Sequence, residues 1–275
     1  MTSLQNQSAA ERVALIRERL VDYLARYEQA HYPEAVFAYE YLLLTKKLEL
    51  ALAEGEPAFL DPPWVADLAT SLAAEYFSTM DAIDRWVASS GDSRQSKVVP
   101  NDLPEVVPEP WREVYVASRG SRSYVLEDAL FAMMAHISYD LPIALLHMAD
   151  RMDVSVHIAD FHRMNDVLGT AIDGIQDDLA SRYSWALADL DLLFTGQDEL
   201  FSNYGIRLSR GMAWYNFERL TDPLARAAAE ESIKRSTGAL IKQLREPDDW
   251  KLRMALRMAR LLIPERRQWP SRPLK

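Results

Sequence analysis

The sequence predicts an all-α protein, and three observations carry that expectation. Glycine is scarce, 9 in 275 residues, while Ala, Leu, Arg and Glu are abundant, a composition that favours helix over sheet. Apolar residues recur at steps of three and four along successive segments, the spacing of one helix face. Hydrophobic residues make up 49% of the chain, enough to bury a core as one large domain or two small ones.

From Ala9 to Ala30, the residues Val13, Ile16, Leu20, Tyr23 and Leu24 form an amphipathic stripe that ends at His31-Tyr32-Pro33. A second helix runs from Pro33 to about Glu54, with Phe37, Tyr41, Leu44 and Leu48 on one side, until Gly55-Glu56-Pro57 breaks it. Asp61-Pro62-Pro63-Trp64 starts a third. Asp61 is placed to cap the free backbone N–H groups, and Pro62 sits where no donor is needed. That helix carries Leu68, Leu72, Tyr76 and Ile83 inward and fades at Ser89-Ser90-Gly91-Asp92.

Residues 91–110 hold four prolines and few apolar side chains, so they read as a long surface connection or a weak boundary between two helical halves. Ser123 is a candidate cap for the next helix, whose first turn holds Glu127 and Asp128, in accord with the helix dipole. Pro142 should kink or end that helix, because its ring clashes with the carbonyl of Ser138 and it cannot donate to the ladder. A helix from about Val156 to Arg182 follows, with Phe161, Asn165, Leu168 and Ile172 on one stripe, and three or four more cover Ser184 to Leu262. The expected organisation is one helical domain over 9–263 and an exposed basic tail over 264–275.

A formal charge of -10 argues against a general nucleic-acid-binding role, since phosphate binding needs a basic surface. The lack of cysteine excludes disulfides, thiolate nucleophiles, iron–sulfur clusters and Cys-type zinc sites. The segment Met1 to Gln7 lacks the basic residues and apolar core of a secretion signal, and charges interrupt the later apolar runs. A cytoplasmic protein without a membrane span is expected. A homodimer is compatible with a helical chain of this size, although no coiled-coil heptad demands it.

The most informative stretch is His136 to Pro142, which sets His136 and Asp140 four residues apart in an apolar helical run. Such a pair shares a helix face, so it can grip one metal ion, or one side chain can orient the other. On ideal geometry His136, Asp140 and His147 fall within about 40° of one another, although Pro142 loosens the placement of His147. A second cluster follows in His157, Asp160, His162, Asn165 and Asp166, with His162 and Asp166 again four apart. Zinc or a transition metal would accept imidazole and carboxylate, whereas magnesium or manganese would accept mainly the carboxylates and Asn165. The plainer reading is that a His and an Asp on a half-buried face satisfy each other. Asn165 interrupts an apolar stripe, so it either binds a loop carbonyl or faces a pocket.

Trp214-Tyr215-Asn216-Phe217, following Arg207 and Arg210, could wall a pocket and bind an anion, although aromatics at this spacing usually form core. The carboxylates of Asp177-Asp178, Asp189 and Asp191 read as solvated faces. No serine-hydrolase elbow, glycine-rich phosphate loop or H-E-x-x-H occurs.

Three resemblances attach to these motifs. The spacing of Asn165, Gly169 and Asp173 looks like the N-D-x-x-G-x-x-x-D element by which class I terpene cyclases hold magnesium, but the upstream aspartate-rich partner is represented only by Asp81-Ala82-Ile83-Asp84. The order His136, Asp140, Pro142, His147, His162, Asp166 is similar to that of zinc-dependent phospholipase C and the single-strand nucleases related to it, which are all-helical. Those enzymes also need an N-terminal Trp and upstream histidines, and only His31 is available here. Over roughly 33–220 the chain resembles the domain-of-unknown-function family 5995, on Tyr41 to Thr45, Asp61 to Trp64, Ala135 to Pro142, Asp160 to Asn165 and the Arg210 to Trp214 region. That family has no established activity, so this match implies which residues matter and not what they do.

The expectation is a polar pocket between the helix of His136 and the helix of Asn165, serving a metal-assisted hydrolase of a phosphoester or other ester on a small-molecule substrate. His136 and Asp140 would ligate zinc, manganese or magnesium, with His162 and Asp166 completing the metal shell. Asp160 or Asp166 would serve as base and Asn165 would orient substrate. The alternative is a metal-free cyclase or isomerase of specialised polyketide or terpenoid metabolism, with His136 and Asp140 as its acid–base pair. A further alternative is a non-catalytic helical binding protein.

Overall fold

The computed structural model describes residues 7–90, 98–119, 124–183, 203–262 and 269–270. Among them every long element is helical: α1 (Ala9–Ala30), α2 (Glu34–Glu54), α3 (Pro62–Ser90), α4 (Glu109–Ser118), α5 (Val125–Ala135), α6 (Leu141–Ala149), α7 (Ile158–Gly169), α8 (Ile172–Tyr183), α9 (Asn203–Thr221), α10 (Arg226–Arg245) and α11 (Trp250–Leu262).

Local chemistry sets the ends of the first three helices. Ser8 and Glu11 form a reciprocal capping box that starts α1, with Ser8 N–H donating to the Glu11 carboxylate at 2.7 Å. The chain leaves α1 through His31, in the left-handed region at φ 56°, and leaves α2 through Gly55 at φ 72°. Asp61 accepts from Trp64 N–H at 3.0 Å and so caps α3 as its sequence implies. Asp160, from the start of α7, accepts from Leu60 N–H at 2.8 Å and Asp61 N–H at 2.7 Å. A single buried carboxylate therefore ties the entry of α3 to α7.

Two elements depart from the helical pattern read in the sequence. The proline at 142 does not end its helix. A π-helical turn over His136–Asp140 joins α5 to α6, with Leu141 N–H donating to the carbonyl of His136. Widening the ladder by one residue accommodates a ring that can neither donate to nor sit beside the carbonyl of Ser138. The single helix expected over 156–182 is divided instead: a 3-10 turn spans Val154–His157, and α7 stops at Gly169. Backbone bonds from Thr170 to Asp166 and from Ala171 to Leu168 tighten the chain there before α8 begins. Ser123 and the stretch 184–202 lie outside the described residues.

The core forms two large apolar clusters. One gathers Leu20, Leu24, Phe37, Tyr76, Trp111, Ala129 and Tyr183; the other gathers Trp64, Leu141, Leu145, Phe161, Trp214 and Leu220. Both take residues from either side of 91–110, and α10 packs on α4, so helices before and after that connection share their cores. The run Val125–Ala149 is long and apolar enough to cross a membrane by length and composition, contrary to the sequence expectation, but most of it is buried inside the bundle as core. In the tail, Trp269 is half-buried where it stacks on His31 at 5.1 Å, a contact between distant aromatics that the basic composition of 264–275 concealed.

Candidate functional site

Where the two clusters meet, α1, α2, α3, the α5–α6 run, α7 and α9 line a partly open cavity of about 90 Å³. Among the described residues its wall is aliphatic and aromatic except for Tyr41, Thr45, His136 and Arg210, and includes no carboxylate. Thr45 gives its hydroxyl to the carbonyl of Tyr41 at 2.7 Å, which leaves the two nitrogen-bearing side chains as the distinctive groups.

His136 stands on the π-helical turn with Asp140 four residues on. Its Nδ1 lies 3.0 Å from Asp140 Oδ2, and Trp111 Nε1–H donates to both oxygens of Asp140 at 3.0 Å. All three side chains are buried, Asp140 to 1% exposure. Burial pushes the Asp140 carboxyl above its ordinary pKa, while the bond to His136, the charge of His136 and the bond to Trp111 act in the opposite direction. An ionised carboxylate only accepts, so Asp140 in that form holds the imidazole proton on Nδ1 and leaves the Nε2 lone pair free. The Nε2 atom is buried with no hydrogen-bond partner among the described residues. Its ring is boxed by Tyr41 at 4.6 Å, Phe37 at 5.5 Å and Tyr76 at 6.0 Å between centroids. A buried acceptor left unpaired costs about 1–3 kcal/mol, and such exceptions call for an explanation.

Arg210 enters from α9. It is 4% exposed, and its guanidinium donates to Asn165 Oδ1 at 2.7 Å and to the carbonyl of Phe161 at 2.9 Å, with the Phe161 ring centroid 4.3 Å away. None of these partners carries a charge. Burial alone pulls its pKa down to about 10.

The model of the family of unknown function DUF5995 matches residues 13–247, which is most of the chain and includes every residue of the cavity wall. The chain belongs to this family. No curated protein and no solved structure matches it. The match stops short of α11, whose Trp250, Leu252, Met254 and Met258 are exposed.

The remaining candidates from the sequence sit elsewhere in this DUF5995 fold. Asp160 is buried, but both its oxygens serve the backbone ahead of α3, and it does not line the cavity. Asn165 is buried and reaches the site only by holding Arg210. His162 and Asp166 lie on the exposed side of α7, where Asp166 pairs with Arg207 at 2.6 Å. The four residues expected to share a metal, His136, Asp140, His162 and Asp166, are thus split between a buried pair and a surface pair. Among the described residues no three His, Asp or Glu side chains are grouped to hold an ion.

His147 is exposed and bonds Glu75 at 2.8 Å, while His157 stacks on Trp64 with centroids 4.7 Å apart. Asn165 and Gly169 belong to α7 and Asp173 to α8, so the terpene-cyclase-like spacing does not run along one helix. Asp81 and Asp84 are taken up by Tyr23, Arg19, Tyr27 and Arg26. Asp177 and Asp178 are exposed, and Asp189 and Asp191 lie outside the described residues. Trp214 and Phe217 are core. The sequence reading missed Trp111 as a partner of Asp140 and the aromatic box around His136. No spacing rule links Trp111 to a residue 29 positions away.

Proposed function

We propose that this protein is a metal-free enzyme of the cyclase or isomerase class that moves a proton on a small, largely apolar molecule. His136 Nε2 takes and returns the proton, Asp140 holds the ring tautomer and compensates the imidazolium charge, and Trp111 fixes Asp140. One observation carries the reading. His136, a residue of the wall of a largely apolar cavity, is anchored at Nδ1 by Asp140, and its Nε2 is buried with no hydrogen-bond partner among the described residues. Apolar surroundings strengthen the interaction of such an atom with a reacting group.

A metal-assisted hydrolase would need further donors beside His136, and Asp140 is already engaged by both His136 and Trp111. The cysteine-free composition accords with a cytoplasmic setting.

The test does not require the substrate to be known. The full chain is incubated in heavy water with a panel of small apolar carbonyl compounds and alkenes, and deuterium entry at carbon is followed by NMR. Exchange into a subset is expected, insensitive to chelator and slowed about 10²- to 10⁴-fold in His136→Gln. Exchange that dies with chelator and returns with zinc or manganese would support the hydrolase expectation instead. Exchange equal in the variant, or none in any compound, would overturn the proposal.

A further inference from the structure

We propose that the cavity binds a small apolar carboxylate and that Arg210 is the group that receives its carboxylate. This rests on reading the cavity as a ligand site, but not on any particular chemistry at His136.

Arg210 is the one cationic side chain on the cavity wall, at 4% exposure, and no carboxylate pairs with it among the described residues. Its two neighbours in hydrogen-bond contact are neutral oxygens, which a neutral donor would serve as well. A full charge is therefore held in the interior where neither bond requires it, and charges so placed are normally paired. Arg207, one turn earlier on α9, shows the ordinary arrangement: it is exposed and pairs with Asp166 at 2.6 Å.

Asn165 fixes the guanidinium through Nε, and Phe161 through its carbonyl and its ring, so the group is pre-positioned and not merely buried. Among the described residues the rest of the wall offers no acidic side chain to repel an anion.

The charge and the space narrow the ligand further. A guanidinium edge matches the two oxygens of a carboxylate, whereas a phosphate would call for more donors than this wall holds. A cavity of 90 Å³ has room for about three waters, given roughly 30 Å³ for each, and is smaller than the ~150 Å³ that admits benzene. The apolar part is then a chain of a few carbons, with Met133 and Met164 as the adaptable walls for anything larger.

The experiment is a binding series on the full chain by calorimetry and ligand-observed NMR. Acetate, propionate and butyrate are compared with the primary amides of the same carbon skeletons. Wild type should bind the acids about ten- to a hundredfold more tightly than the amides. Arg210→Met should abolish that preference, and His136→Gln should keep it even where proton exchange is lost. Equal binding of acids and amides by the wild type, or no acid bound at millimolar concentration, overturns the inference without needing a folded variant. A preserved preference in a folded Arg210→Met protein overturns it as well. Absence of proton exchange in the wild type, with the acid preference intact, would sink the proposed chemistry alone.

Discussion

Two pairs in this molecule share one sequence pattern, a histidine followed four residues on by an aspartate, and they end in opposite environments. His136 and Asp140 are buried together, with Asp140 held by Trp111 and the imidazole inside an aromatic box. His162 and Asp166 face solvent, and Asp166 binds Arg207 of α9 rather than its histidine neighbour. Spacing thus puts both pairs on a helix face, but what lies opposite that face decides whether the pair becomes a site. Buried charges and dipoles are the ones whose removal should be felt.

Removing Asp140 should have the largest effect. Asp140→Ala strands Trp111 Nε1–H and His136 Nδ1 in the interior, and we expect a loss of about 3–5 kcal/mol in urea unfolding. A change under 1 kcal/mol would show that the buried network is not what distinguishes the two pairs. Trp111→Phe keeps the ring packing but deletes one donor to Asp140, so a smaller loss of about 1–3 kcal/mol is expected, read from the same curves. It should also slow any His136-dependent exchange, because Asp140 is then free to turn away from the ring.

Glu40 sharpens the comparison by showing burial without a partner. It is 2% exposed, its Oε2 has no hydrogen-bond partner, and burial alone pushes its carboxyl well above the ordinary range. Its folded-state pKa lies above the unfolded one, so the folded chain holds the extra proton between them and loses stability as pH rises through that window. Glu40→Gln should therefore raise the melting temperature at pH 8 by about 2–4 °C, a gain on the order of 1 kcal/mol. The gain should shrink toward about pH 3, where the carboxyl is protonated in both states. An equal gain at both pH values would contradict this assignment of cause.

At the bottom of the scale, His162→Ala and Asp166→Ala should each change stability by no more than about 0.5 kcal/mol and leave exchange at wild-type rate. A large loss of activity in either would restore α7's outer face as part of the site.

How much of this could be read beforehand differs by feature. The limits of α1, α2 and α3 follow from local signals, Ser8 with Glu11, Gly55, and Asp61 before Pro62, which act within a few residues. The His136–Asp140 pair was legible for the same reason, since an i,i+4 relation survives the π-helical turn. The break at Gly169 was not, because an isolated glycine in a helical pattern is compatible with continuation or with an end. Nor was the division of labour among the acidic residues. Asp160 and Asp140 are both buried aspartates, yet one caps a loop and the other orients a ring, and only the fold brings Leu60 to the first and Trp111 to the second.

The central claim is that Asp140 holds the His136 proton on Nδ1 and leaves the buried Nε2 free. Long-range nitrogen–proton NMR of the histidine side chains at pH 7.5 tests it directly, with exposed His162 as an internal reference. We expect one ring, assigned by His136→Gln, to show a single Nδ1–H tautomer with a slowly exchanging proton. A His136 spectrum averaged between tautomers like that of His162, or one locked with the proton on Nε2, would contradict the account.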